Sequence, residues 1–86
     1  MKIRNEIMKF ARAMELKLRL HDEDRGKKGW TKDSKDWLLD RVYVELGEYK
    51  MSLENSRYPG IGDKEELVDV ANFCMMLFDN TTEAPK

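Results

Sequence analysis

The sequence holds one cysteine, two prolines and no long apolar run among its 86 residues. The single cysteine, Cys74, excludes an internal disulfide framework and a cysteine-rich zinc site within one chain, which favours a reducing, cytoplasmic location. Charges recur every few positions in the first residues, so the pattern contains neither the apolar segment of a signal peptide nor a membrane span. We therefore expect a cytoplasmic protein with no membrane partner.

An excess of charge of either sign is also missing. Sixteen basic residues nearly cancel 17 acidic ones, which leaves a net charge of -1. Without a global positive field, nucleic acid is not an expected partner. A chain this short buries little of its surface, so a monomeric core would be thin and association between chains is expected.

Apolar residues recur at helical spacing in three segments, which predicts an all-α fold. The helices are expected over residues 2–24, 34–55 and 63–79, separated by the glycines of residues 26–29 and the Pro-Gly stretch of residues 58–62. Thr31, Asp33 or Ser34 could cap the second helix, and Asp63 could cap the third. Residues 1–80 then form a single domain, and residues 81–86 a flexible tail.

Each predicted helix has one buried face. The first face reads Ile3, Ile7, Phe10, Met14, Leu18 and His21; the second Trp37 or Leu38, Val42, Glu45, Tyr49 and Leu53; the third Leu67, Val70, Ala71, Cys74, Leu77 and Phe78. Trp37 is expected in the core and Cys74 as a small buried apolar residue. Glu45 lies on the predicted buried face of the second helix, and Glu48 lies beside that face. An ordinary apolar core would have leucine at such positions.

Two acidic pairs are the residues that suggest chemistry. Glu45 and Glu48 on the second helix, and Glu66 and Asp69 on the third, are each three residues apart and therefore share one helix face. Only Glu45 has a basic residue, Arg41, one turn away; the other three acids have none at three or four positions in either direction. If the two helices pack side by side, the four carboxylates need protons or a metal ion, and oxygen ligands favour magnesium.

The segments ELGEYK and EELVDVANF together resemble the all-α nucleoside triphosphate pyrophosphatases, which include MazG-like enzymes, dimeric dUTPases and dCTP pyrophosphatases. The signature of that family is ExxE on one helix and ExxD on the next, here Glu45, Glu48, Glu66 and Asp69. The segment LHDEDRGKKGW is similar to the part of the dCTP-pyrophosphatase branch in which a histidine and a tryptophan line the base pocket. Those residues would be His21 and Trp30.

This resemblance implies an enzyme that cleaves a (deoxy)nucleoside triphosphate to the monophosphate and pyrophosphate. The four acids would hold Mg²⁺, with Mn²⁺ as a possible substitute, and Glu48 together with Glu45 would serve catalysis, Glu48 by orienting the attacking water. The family pattern also implies an antiparallel three-helix bundle completed by a second chain in a homodimer or homotetramer.

The sequence departs from the family in two places. Val44 stands where many relatives carry a further glutamate, and a basic helical segment present after the ExxD helix in larger members has no counterpart. The cations for the triphosphate must come from elsewhere, with Lys28 and Lys50 among the candidates beside Lys27, Arg57 and Lys64. Asn72, one turn after Asp69, could reach the sugar or the base.

Plainer interpretations exist for each of these residues. The acids could form two solvated faces, with Glu66 as the capping partner of Asp63. His21 could be a packing residue at the end of an apolar stripe. The whole chain could then be a non-catalytic helical module that binds a partner protein, and its acids would be individually replaceable.

Overall fold

A computed structural model describes residues 1–55 and 61–81, with side chains described for residues 1–54 and 64–81. Within these ranges the protein contains no strand and consists of helices: α1 (Asn5–Arg25), α2 (Lys35–Asn55), α3 (Ile61–Asn80) and a short 3-10 turn (Gly29–Lys32) between α1 and α2. The predicted all-α class is confirmed. No helix of the described part is long and apolar enough to cross a membrane.

The break between α1 and α2 follows the predicted local chemistry. Gly26 adopts a positive φ of 78°, a conformation that favours glycine, and its N–H donates to the carbonyl of Asp22 at 2.8 Å. Of the three predicted caps for α2, Ser34 is the one used, because its Oγ accepts the N–H of Trp37 at 3.1 Å.

The start of α3 differs from the prediction. The helix begins at Ile61, so Asp63 lies inside the first turn and is not the N-cap. Gly62 is also helical, since a glycine costs a helix only about 1 kcal/mol and a terminal turn tolerates it. The predicted loop at Pro59 and Gly60 and the tail residues 82–86 lie outside the described residues.

Helix α3 is the element that touches all the others. It packs along α2 and more sparsely against α1 and the 3-10 turn. The amide of Asn72 donates to the carbonyl of Met14 on α1 at 3.3 Å, and the amide of Asn80 donates to the carbonyls of Trp30 and Asp33 at 2.9 and 3.2 Å. These bonds fix α1 and the turn relative to α3.

The buried face of α2 is close to the predicted one. Leu38 is fully buried, Glu45 is 7% exposed, and Val42 and Tyr49, on either side of Glu45, are half-buried. Leu53, predicted as the last residue of this face, is instead 49% exposed. Trp37 was expected in the core but is 42% exposed, because Leu38 takes the buried position of that turn. Its ring still meets the Phe73 ring edge-on, with 6.3 Å between centroids.

The predicted face of α3 is wrong by a rotation of the helix. Val68 and Asn72 are its buried residues, at 7% and 4% exposure. Leu67, Cys74 and Phe78 are exposed, since α1 and α2 cover another side of α3. Cys74 is therefore not the small buried apolar residue that the periodicity predicts.

The protein leaves an unusual amount of surface open. Its accessible area is 7419 Å², whereas a compact monomer of 10.2 kDa would expose about 5,300 Å². Much of the open surface is apolar: Ile3, Ile7 and Phe10 were predicted on a buried face of α1 but are exposed, and α1 has no buried residue. Only Leu38 and Val68 are buried apolar residues in the described part of the chain.

Candidate functional site

The two acidic pairs meet where α2 packs against α3. Glu66 accepts a hydrogen bond from the Ser52 hydroxyl at 3.0 Å, which ties one pair to the opposite helix. At the other pair, Glu45 is close enough to Asp69 for the charge of Asp69 to raise its pKa. Glu45 and Asp69 are therefore the two acids from different helices that approach each other at this contact.

Burial raises the pKa of Glu45 above its ordinary value of 4.5. A hydrogen bond and the charge of Glu48 raise it further, and Asp69 adds a smaller effect of the same sign. The hydrogen bond from Arg41, 2.7 Å between Nη2 and Oε1, acts in the opposite direction without cancelling these effects. Glu45 therefore holds its proton more tightly than a free glutamate does, because it is buried next to a second acid.

A cation reaches Asp69 from α1. Lys17 Nζ lies 3.7 Å from Asp69 Oδ1, and both side chains are about one quarter exposed, at 28% and 27%. Helical spacing predicts ion pairs only between residues three or four positions apart. Lys17 and Asp69 are 52 positions apart, so spacing alone does not predict this pair. The charge pattern of α1 gave no sign of it either, since lysines and arginines occur on every side of that helix.

The donor set agrees with a hard divalent cation in its chemistry. All four acids offer carboxylate oxygens, and Glu66 Oε2 is buried with no hydrogen-bond partner among the described residues. Within residues 1–55 and 61–81, however, no three histidine, cysteine or acidic side chains lie close enough together to hold a metal ion. Arg41, Lys17 and Ser52 hold the acids in their present orientations.

A cavity of about 340 Å³ joins the acids to the predicted base-binding residues. Its wall contains His21 and Trp30 together with Glu45, Asp69 and Asn72. The remaining lining residues are Lys17, Leu18, Asp22, Arg25, Gly26, Gly29, Phe73 and Met76. Seven of the thirteen lining residues are polar or charged, and Trp30 and Phe73 add aromatic surface, so the wall combines charged groups with an aromatic part.

Trp30 is held at the cavity from two sides. Its indole N–H donates to Asp79 Oδ2 at 2.9 Å, and its carbonyl accepts from the Asn80 amide at 2.9 Å. Trp30 is consequently half-buried, whereas the sequence indicated an exposed aromatic in a loop. Both partners come from the last turn of α3, and no sequence signal connects that turn with residue 30.

Asn72 has an unsatisfied acceptor in this cavity wall. The residue is 4% exposed, and its amide nitrogen is already used in the bond to Met14. Its Oδ1 is buried without a partner in the described part of the protein. A buried acceptor of this kind costs free energy unless a donor reaches it, so a ligand with an N–H or O–H group would complete it.

The other predicted site residues lie outside the cavity wall. Among the described lining residues, Glu48, Glu66, Lys28 and Lys50 are absent. Lys50 is exposed and lies 4.0 Å from Glu54, while Lys28 is exposed beside the 3-10 turn. The lining residues that the sequence did not single out as binding groups include Lys17 and Phe73, whereas Arg25 belongs to the basic run of residues 25–28, which the sequence indicated as either a solvated turn or a phosphate contact.

The raised pKa of Glu45 predicts how stability depends on pH. Because the folded protein holds this proton more tightly than the unfolded chain, the free energy of unfolding should fall as the pH rises from about 4.5 through the raised pKa. Glu45→Gln should flatten that fall when urea unfolding is measured in EDTA across this range. Glu54→Gln, at an exposed position of the same helix, is the control and should keep the wild-type slope; an unchanged slope in Glu45→Gln would contradict the assignment.

Comparison with known proteins relates the chain to an archaeal protein. No protein-family model and no solved structure matches the chain. An uncharacterized protein of Archaeoglobus fulgidus is 35% identical to it over 72 residues, which cover 81% of this chain and 75% of the relative. The chain therefore belongs to the same protein family as this uncharacterized archaeal protein.

Proposed function

We propose that the chain is a magnesium-dependent nucleoside triphosphate pyrophosphohydrolase, which cleaves a (deoxy)nucleoside triphosphate to the monophosphate and pyrophosphate. The observation that carries the proposal is the single cavity whose wall contains His21 and Trp30 as well as Glu45 and Asp69. A nucleotide requires both halves, because its base needs an aromatic surface and its phosphates need cations. The sequence resemblance singles out the same four residues.

Glu45, Glu48, Glu66 and Asp69 are the proposed ligands of Mg²⁺, which Mn²⁺ could replace. When bound, the ion shields the phosphoryl charge and lowers the pKa of water. The buried, unpartnered oxygen of Glu66 supports the assignment, since it is an acceptor available to a cation. Arg41 and Lys17 must give up part of their contacts with Glu45 and Asp69 when the ion enters.

Glu48 and Glu45 are the proposed catalytic residues. Glu48 is exposed to water and lies beside Glu45, so its carboxylate can reach an attacking water and accept a proton from it. The burial of Glu45 and its proximity to Glu48 raise the pKa of Glu45 above that of a free glutamate. Glu48 is proposed to orient the water, and Glu45 to act beside it.

His21 and Trp30 are proposed to bind the base, and Asn72 the sugar or base. The fixed orientation of Trp30 by Asp79 and Asn80 supports a stacking role, because a held ring loses little freedom when it binds a base. Asn72 would accept a hydrogen bond from a donor group of the nucleoside. Lys28 and Lys50 remain proposed phosphate contacts, although neither lies in the cavity wall of one protomer.

The helices are proposed to form an antiparallel bundle that a second copy completes, in a homodimer or homotetramer. The pairing of Arg41 with Phe73 and of Ser52 with Glu66 supports opposite directions for α2 and α3. The large apolar side chains that α1 and α3 expose support a second copy, because extended exposed apolar patches mark surfaces of association. The exposed apolar stripe of Leu67, Cys74 and Phe78 on α3 supplies one such surface.

The same exposed apolar residues favour one alternative, a non-catalytic helical module that binds a partner protein. The two proposals differ in what they require of the acids. An interaction module has no use for Glu45 in a buried position or for an unpartnered acceptor on Asn72. A substrate site uses both.

The enzyme proposal predicts the effect of two conservative substitutions. Glu48→Gln and Asp69→Asn should each lower pyrophosphate release from a hydrolysed (deoxy)nucleoside triphosphate by about 100-fold or more, because each removes a carboxylate needed for proton transfer or for the cation. The measurement is pyrophosphate release with Mg²⁺ from a panel of canonical, deoxy and modified triphosphates. Circular dichroism checks that both variants remain helical.

Glu15→Gln is the control for these variants, because Glu15 is exposed on α1 and pairs only with Arg19 among the described residues. It should release pyrophosphate at the wild-type rate. Wild-type protein that hydrolyses no triphosphate in the panel would contradict the enzyme proposal. Wild-type rates in both acid variants would contradict the assigned residues alone.

The assembly proposal predicts that wild-type protein sediments as a dimer or tetramer at micromolar concentration. Phe78→Glu should shift the species towards the monomer, since Phe78 is 82% exposed and a charge would be buried in the interface. Phe78→Leu, which keeps an apolar side chain, should remain associated. A wild-type monomer at these concentrations would contradict the proposed assembly.

A further inference from the structure

We propose that the exposed face of α2 pairs with the same face of a second copy, with the two α2 helices antiparallel. This face, the α2 seam, consists of Leu39, Tyr43, Leu46 and Lys50, which recur at spacings of four and three residues. The inference rests on the assembly part of the proposed function and names a surface for it. It depends neither on a metal ion nor on catalytic activity.

The α2 seam is largely apolar and open to solvent. Leu39 is 45% exposed, Tyr43 67% and Leu46 47%. The buried residues of α2, Leu38 and Glu45, belong to its other side, and α3 is the helix that packs along α2. The fold of one chain therefore leaves uncovered a stripe that has the spacing of a helix-pairing seam.

Gly47 points to a close neighbour on this side of α2. A glycine in the interior of a helix is less favourable than an alanine. Within the described part of the chain, a Cβ added at Gly47 would meet no atom within 4 Å, and its φ is not positive. One chain therefore gives no reason for a glycine one turn after Tyr43, whereas a second helix that approaches closely does.

The charges at the two ends of the seam are complementary. Asp36 and Asp40 lie one turn apart at its start, where like charges repel each other, and neither has an ion-pair partner among the described residues. Lys50 lies at the other end, and its ion pair with Glu54, at 4.0 Å, is the longest in the described part. An antiparallel second copy brings each end against the opposite one.

One register satisfies both the apolar and the charged positions. When Tyr43 lies opposite Leu46 of the second copy, Leu39 lies opposite Lys50 of the second copy. The stem of that lysine then covers Leu39, and its ammonium lies between Asp36 and Asp40. The two-fold axis repeats every contact, so the pairing is closed and joins two copies.

The same charges distinguish a second copy from other occupants. An anionic lipid surface on the seam would meet Asp36 and Asp40 at one end, and their charge would repel it. A different protein would need an apolar stripe with a cation at one end and acids at the other. A second copy carries that pattern by symmetry.

The first test is a zero-length carbodiimide crosslink of the wild-type protein at micromolar concentration, mapped by mass spectrometry. Asp36 and Lys50 are about 21 Å apart along one helix, so an amide bond between them forms only between two copies. The Lys50–Glu54 bond within one chain shows that Lys50 reacts. We expect an Asp36–Lys50 or Asp40–Lys50 bond as well; the Lys50–Glu54 bond alone would overturn the register.

The second test is sedimentation of an apolar variant and its control. Tyr43→Asp should raise the dissociation constant of the assembly at least tenfold, because the seam would bury a charge. Met51→Asp changes a residue of similar exposure, 60%, on the same helix outside the seam, and should associate as the wild type does. Wild-type association in Tyr43→Asp would overturn the seam.

A charge exchange tests the pairing of the ends. Lys50→Glu should weaken association, and Lys50→Glu combined with Asp40→Lys should recover most of it. Lys9→Glu makes the same change of charge at an exposed position of α1 and should have no effect. No recovery in the double variant would overturn the proposed ion pairs.

Two outcomes separate the seam from the other proposals. If Lys50→Glu weakens nucleotide binding but leaves association unchanged, Lys50 is a phosphate contact and the seam is overturned. A wild-type monomer would contradict the seam together with the proposed assembly. Pyrophosphate release by the wild-type protein tests the enzyme proposal separately from both.

Discussion

The contact between the buried carboxyl of Glu45 and its neighbours is the interaction on which the rest of the structure depends. Glu45 lies in the middle of the buried face of α2, between the half-buried Val42 and Tyr49, and is 7% exposed. A charge in such a position costs several kcal/mol unless it is paired, and an apolar residue of similar volume would often be more stable there. Arg41 compensates only part of that cost, as the raised pKa of Glu45 indicates.

A core that gives its central positions to polar groups has little left for apolar ones. Asn72 takes the corresponding buried position on α3, and only Leu38 and Val68 are buried apolar residues in the described part of the chain. The polar core and the exposed apolar surface therefore have the same cause: polar side chains fill the central positions, and apolar side chains lie at the surface. Under the proposed function, the ion and the nucleotide satisfy the polar core, and a second copy covers the apolar surface.

Periodicity was sufficient for the parts of the structure that depend on near neighbours in sequence. The three helices and most of the buried face of α2 follow from side chains one turn apart, and the sequence predicted them. Ser34, which caps α2, was one of three candidates that the sequence left open. The face of α3 failed for a physical reason. Asn72 occupies the centre of the buried face of α3. Because the prediction relied on apolar residues, it assigned the buried face to another side of the helix, the one that contains Leu67, Cys74 and Phe78.

Contacts between distant segments were beyond the reach of the pattern. Lys17 meets Asp69, and Trp30 meets Asp79, only because α1 and the 3-10 turn pack against α3. Nothing in the spacing of charges along one helix contains that information. The resemblance to a family supplied part of it, by pairing His21 and Trp30 with the acids, and these residues do share one cavity with Glu45 and Asp69.

The central claim is that this cavity binds a nucleotide with its metal ion, and the two tryptophans make a direct test possible. Trp30 lines the cavity, whereas Trp37 is outside its lining and 42% exposed. In a ¹H–¹⁵N spectrum, addition of Mg²⁺ and a nonhydrolysable deoxynucleoside triphosphate should shift the Trp30 indole N–H signal and leave that of Trp37 nearly unchanged. If the Trp30 signal stays unperturbed at saturating concentrations of nonhydrolysable triphosphates with each of the bases, the account is contradicted.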